Sequence, residues 1–135
     1  MVTAELARQK VITAQAHAGA TLLYAFGTLI GNTDMHAGNL SLVSDQGRPY
    51  GLSPAYDMLP MAFSPTAGGV VMDTLSSSHL HPAVDGVTWR AAHGLAQTFL
   101  ARLRSDTRFS AAFQPCMEAL HMYLADASHK IGRLA

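Results

Sequence analysis

The sequence predicts a mainly α fold with one short β-hairpin set between a first long helix and a group of C-terminal helices. Three patterns carry that expectation. Ile12, Ala16, Gly19, Leu23, Phe26 and Ile30 recur at steps of three and four, which is one helical face. Leu40–Val43 and Pro49–Ser53 read as two short strands joined by the turn residues Ser44, Asp45, Gln46 and Gly47. In the second half Ala92, Leu95, Phe99 and Leu103, and then Phe109, Phe113, Cys116, Leu120, Leu124, Ala127 and Ile131, return to helical spacing.

The elements follow in order. Thr3 can cap a helix that Glu5 favours from its first turn. With no break signalled, residues 1–31 are expected to form one long helix, amphipathic at first and apolar nearly all round by Leu22, Ala25 and Leu29. Gly31 is a natural stop. Residues 32–59 hold a polar loop, the hairpin and Pro54-Ala55-Tyr56-Asp57; Pro54 ends the second strand and turns Asp57 back towards Asn39. Residues 60–86, rich in Pro, Gly and Ser, are expected to form a long loop and the most mobile part of the chain. Val70-Val71-Met72 is either a short strand or a tuck into the core. Residues 87–135 form a helical subdomain. Asp85 or Thr88 starts its first helix and Asp106 a second segment. Pro115 predicts a kink, or a short helix followed by a longer one.

Composition narrows the function classes. The 135 residues suffice for one domain with a core, and 49% are hydrophobic against 13% charged. Soluble domains usually carry about a quarter charged residues, so association with a copy or a larger partner is expected. Formal net charge is zero, which leaves no electrostatic footprint for nucleic acid. Between Val11 and Trp89, however, five acids (Asp34, Asp45, Asp57, Asp73, Asp85) face one base, Arg48. That local acidity suits a hard cation, or it is a set of solvated loop aspartates. A single cysteine, Cys116, fits a reducing compartment. No secretory signal is read at the start, so a cytoplasmic location is expected. Val11–Thr33 carries no charged side chain and is long enough to span a bilayer. Gln15, His17, its threonines and its glycines make it read as a buried soluble helix instead.

Gly31-Asn32-Thr33-Asp34-Met35-His36-Ala37-Gly38-Asn39 packs polar groups too densely for a simple turn. Asp34 and Asn39 stand five residues apart, the interval of a kinase catalytic loop, in which the acid accepts a hydroxyl proton and the amide binds metal. Asp57 offers a second carboxylate. The same residues also make good capping and turn chemistry. His79 and His81, with His36 and Asp34, allow a zinc hydrolase, although the spacing is not that of a zinc motif. Met58, Met61 and Met72 read as core filler. Trp89 and the basic stretch Arg102, Arg104 and Arg108 read as a partner contact or a solvated helix end.

Ile30 to Ser41 resembles the catalytic loop of HipA-like serine/threonine kinases, the toxin kinases of bacterial toxin–antitoxin modules. Leu52 to Leu59 resembles the metal-binding segment that follows it there. The resemblance implies a protein-kinase-like C-terminal helical lobe, with Asp34 as catalytic base and His36 bracing the loop. It implies Asn39 and Asp57 as Mg²⁺ and cofactor ligands, ATP as donor, a protein serine or threonine as acceptor, and an antitoxin as partner. Many family members carry a lysine where this chain has Gly38. Neither a G-x-G-x-x-G nor a Walker-type loop occurs in this sequence, and its only lysines are Lys10 and Lys130. The chain is therefore expected to be the C-terminal lobe alone, a truncation or fragment without its ATP-binding N-terminal lobe. As an isolated chain it is expected to bind ATP poorly, to transfer no phosphate and to self-associate. The competing expectation is a non-catalytic module, a degenerate kinase lobe that binds an antitoxin or a DNA-binding partner.

Overall fold

A computed structural model describes residues 1–71 and 73–134. The expected mainly α architecture is present, with helices α1 (Val2–Arg8), α2 (Ala14–Leu29), α3 (Gly86–Ser105) and α4 (Gln114–Ile131). One antiparallel hairpin, β1 (Leu42–Val43) and β2 (Gly51–Leu52), lies between α2 and α3, with Leu42 opposite Leu52 and Val43 opposite Gly51. Short 3₁₀ turns cover Ala37–Asn39, Met61–Phe63 and Ala111–Phe113.

The single helix expected over 1–31 is two. Gln9 ends α1, Lys10 takes a positive φ of 55°, and Ile12 pairs with Tyr50 as an isolated parallel bridge. The Tyr50 N–H donates to Val11 O and the Thr13 N–H to Tyr50 O, both at 2.9 Å. Val11-Ile12-Thr13 is a run of three β-branched residues, which favours extended backbone over helix. Thr13 then caps α2, its Oγ1 accepting from the Ala16 N–H at 2.9 Å. Thr3 is not the cap of α1. It lies inside that helix and exchanges a hydrogen bond with His17 Nδ1 at 3.0 Å.

The core forms where α2, α3 and α4 meet. Leu29, Ile30, Trp89, Cys116 and Leu120 are its largest fully buried side chains. From α2 the small Ala25 joins Leu29 and Ile30 in this core, and Phe26 meets Phe99 edge to face. Trp89 is thus a core residue, neither a partner contact nor a helix end; its Nε1 has no hydrogen-bond partner among the described residues. Asp85 caps α3 by accepting from the Thr88 N–H at 2.7 Å, and that bond is the main reason its carboxyl lies below its ordinary range. Asp106 does not begin a helix. It follows the end of α3 and accepts from the backbone and guanidinium of Arg108. Pro115 sits in the first turn of α4, after the 3₁₀ turn, so the pattern resolves as a short helical turn followed by a long helix.

The 60–86 segment has little regular structure, but α4 fastens part of it. Asp126 Oδ2 accepts from the Ser78 N–H at 3.1 Å and the Ser78 Oγ at 2.8 Å. Lys130 Nζ lies 2.9 Å from the same oxygen and also donates to Ser77 Oγ and Ser78 O. Ser78 is buried. Val70 and Val71 are exposed and lie in no strand, and Met72 lies outside the described residues.

Lys130 first, then Ser78, hold the Asp126 carboxyl well below the usual carboxylate range. A depressed folded-state pKa means that the clasp contributes stability in full above the ordinary carboxylate pKa and loses it as pH falls through the folded value. The protection of amides 75–79, relative to free-chain exchange at the same pH, is therefore expected to fall as pH drops below about 4, the ordinary Asp range. Asp126→Asn should lower that protection at neutral pH. Equal protection of wild type and variant would exclude the clasp.

Candidate functional site

The end of α2 sets the site. Ile30 is the C-cap and Gly31 follows with φ of 78°. The Gly31 N–H bonds Thr28 O at 3.3 Å and the Asn32 N–H bonds Gly27 O at 2.9 Å, the paired bonds of a Schellman ending. A side chain at 31 would be strained by that φ and would press on Ala62 and Leu75. The helix therefore stops at a defined residue and delivers Asn32, 6% exposed, under the loop.

Asn32 joins the two polar segments. Its Oδ1 accepts from the Asp34 N–H at 2.8 Å, and its Nδ2 donates to the Asp57 carbonyl at 3.1 Å. Tyr56 makes a second tie, its hydroxyl donating to Gly38 O at 3.2 Å and lying 3.0 Å from Ser41 Oγ. Sequence patterns did not single out Asn32 or Tyr56 as site residues. Their partners lie 25 and 18 positions away, beyond any local spacing rule. Asp57 itself adopts φ of 56°, an uncommon conformation that Asp tolerates better than most residues.

Within the loop, His36 lies over Gly38. Its Nδ1 accepts from the Gly38 N–H at 3.0 Å, which leaves Nε2 as the protonated nitrogen of the neutral ring, 3.3 Å from Asp34 Oδ1. A Cβ at position 38 would lie 2.9 Å from His36 Cε1 and Nδ1, so this ring position depends on glycine there. Asn39 Nδ2 donates to the Asp34 carbonyl at 2.9 Å. Its donor end is thereby occupied, and Oδ1 is the end left for a ligand.

Asn39, Asp57 and His36 line one cavity of about 200 Å³, whose remaining wall is largely apolar and includes Ala20, Tyr24 and Met35. The Asp34 side chain is not part of that wall. It is half exposed and linked to the wall through His36. Three of the four predicted residues, His36, Asn39 and Asp57, thus share a cavity, and Asp34 stands beside it. Two oxygen donors, the Asn39 amide and the Asp57 carboxylate, suit a hard divalent cation that takes its other ligands from water or phosphate. The zinc alternative finds no support, since no three His, Cys, Asp or Glu side chains converge among the described residues. His81 instead accepts from the Ala83 N–H and meets Tyr24 edge to face.

No helix among the described residues is long and apolar enough to cross a membrane. A helical lobe whose helix-anchored loop is tied to an Asp-bearing segment after a hairpin defines the class, and the chain belongs to the family of the HipA-like C-terminal domain, whose model it matches over residues 2–126. It is similar to Toxin YjjJ of Escherichia coli (strain K12), with 35% identity over 129 residues that cover 96% of this chain. The chain spans 29% of the length of that relative. No solved structure matches it.

Proposed function

We propose that the chain is the C-terminal catalytic lobe of a HipA-like, ATP-dependent protein serine/threonine kinase working in a bacterial toxin–antitoxin setting. The observation that supports this reading most is the Asn32 side chain. One buried amide holds the backbone of Asp34 and of Asp57 together, so that two segments resembling a kinase loop and its metal-binding partner meet at one cavity. In this reading Asp34 accepts the proton of a protein Ser or Thr hydroxyl as its oxygen bonds to the γ-phosphorus of ATP, while the bond from that phosphorus to the β–γ bridging oxygen breaks and ADP leaves. His36 keeps the Asp34 carboxylate oriented. Asn39 Oδ1 and the Asp57 carboxylate would hold Mg²⁺, which when bound offsets charge on the ATP phosphates.

ATP-binding parts outside this sequence complete the enzyme, and the isolated chain transfers no phosphate. Gly38 stands where many family members carry a lysine; if that lysine neutralises the transferring phosphate, its loss lowers the rate by removing transition-state charge stabilisation. A toxin of this kind acts in the cytoplasm and is restrained by an antitoxin protein. Exposed Leu42, Val43 and Leu59 favour self-association, and a monomer by light scattering would refute that part.

The second reading, a non-catalytic lobe that binds an antitoxin or DNA-binding partner, draws on the Asp34 carboxylate standing outside the cavity wall. Calorimetric titration with Mg²⁺ separates the two. Saturable binding that Asn39→Ala and Asp57→Ala each weaken favours the kinase. Absence of binding at millimolar Mg²⁺ favours the interaction module.

A further inference from the structure

We infer that Met35 is a positioning residue: its side chain, seated in a notch that Gly27 leaves in α2, holds the Asp34–His36 turn against the helix. The inference rests on the kinase reading, in which that turn carries the expected base, and deepens it by naming what fixes the base in place. Asp34 and His36 bond to each other and to Asn32, Gly38 and Asn39, all within the same loop. Those bonds give the turn its shape. The ties through Asn32 and Tyr56 run from the loop to the Asp57 segment and to Ser41. Met35 runs the other way, back to α2.

Gly27 is buried in the last turn of α2. A Cβ at that position would collide with Met35 Sδ and lie 2.9 Å from its Cε and 3.3 Å from its Cγ. Alanine is favoured over glycine inside a helix, so local propensity gives no reason for glycine here. The methionine needs the space. An unbranched, polarizable thioether is well suited to a narrow gap of this kind. The helix behind the notch is fixed, since Ala25, Leu29 and Ile30 belong to the core. Gly27 O also accepts from the Asn32 N–H at 2.9 Å, so the start and the tip of the loop meet the helix at one residue. Displacing Met35 has a route to the expected metal ligands. Asn39 Nδ2 donates to the carbonyl of the neighbouring Asp34, and Met35 itself lines the cavity that Asn39 and Asp57 share.

Nitrogen-15 spectra of the His36 ring read the turn directly. With Nδ1 accepting from the Gly38 N–H, the neutral ring is held as its Nε2–H tautomer. Gly27→Ala and Met35→Ala are each expected to mix the two tautomers. Each should also weaken Mg²⁺ binding by about tenfold, the low end of the cost of losing a group that orients a ligand. Met35→Leu, close to Met in volume and apolar throughout, should keep both properties. In the Met35→Ala background, Gly27→Ala should have no further effect. Gly19→Ala, whose Cβ would meet Leu52 of β2, is the control for a glycine elsewhere in α2 and should leave the His36 ring unchanged. Should Gly27→Ala unfold the chain, Met35→Ala and Met35→Leu carry the test, since neither places an atom in the helix. An undisturbed tautomer in Met35→Ala, equal disturbance by Gly19→Ala, or an undiminished effect of Gly27→Ala in the Met35→Ala background overturns the inference. The expected tautomer pattern with no Mg²⁺ binding by the wild-type chain would retain the anchor and sink the kinase reading. Mg²⁺ bound through Asn39 and Asp57, with the His36 ring unmoved in every variant, would retain the kinase reading and sink the anchor.

Discussion

Asn32→Ala is expected to lower unfolding free energy by about 1–3 kcal/mol, the usual cost of leaving buried or half-buried hydrogen-bonding groups without their partner. Two groups lose their partner together, the Asp34 N–H and the Asp57 carbonyl. Asn32 is itself buried at the end of a Schellman-capped helix, so the truncated site cannot simply rotate its backbone towards water. Asn32→Asp is the sharper control. It keeps an oxygen for the Asp34 N–H but sets a second oxygen against the Asp57 carbonyl, where the amide donated. Both variants should weaken Mg²⁺ binding although neither removes an expected ligand. Stability and Mg²⁺ affinity both equal to wild type in Asn32→Ala would mean that the two segments are held together by something else.

Asp34→Asn is expected to reduce phosphate transfer by about 10²–10⁴-fold, the usual contribution of a general base. The assay is transfer of labelled phosphate from ATP by the chain supplied with the ATP-binding lobe that the kinase reading requires. The substitution keeps the side chain's shape and removes its capacity to take a proton. It should spare Mg²⁺ affinity, because Asp34 does not line the cavity that Asn39 and Asp57 share. A variant as fast as wild type would remove Asp34 from the chemistry. Strong transfer by the isolated chain, abolished by Asp34→Asn, would refute the expectation that this lobe is incomplete as an enzyme.

What the sequence disclosed and what it hid divide by distance along the chain. The Gly31 stop, the Asp85 cap, the hairpin and the buried stripe of α4 rest on neighbours a few residues apart, and local patterns predicted them. The break between α1 and α2 was legible in principle. Val11-Ile12-Thr13 favours extended backbone, but the apolar periodicity running through it masked the signal. The Asn32 and Tyr56 ties and the Asp126–Lys130 clasp join residues far apart in the chain, so their composition looked like ordinary polar loop. Trp89 was misjudged because a lone tryptophan near a helix start carries no periodic signature of its own. The convergence of Asn39 with Asp57 was expected from the hairpin's return; the position of Asp34 outside their cavity was not.

The central claim concerns one ion and the side chains around it. Mn²⁺ accepts the same oxygen ligands as Mg²⁺ and broadens nuclear signals close to it. In a titration of this chain with substoichiometric Mn²⁺, the signals of Asn39 and Asp57 should vanish first, followed by those of His36 and Asp34. Broadening spread evenly over the exposed acids Asp45 and Asp73 and the α3 cap Asp85, with Asn39 untouched, would contradict the account.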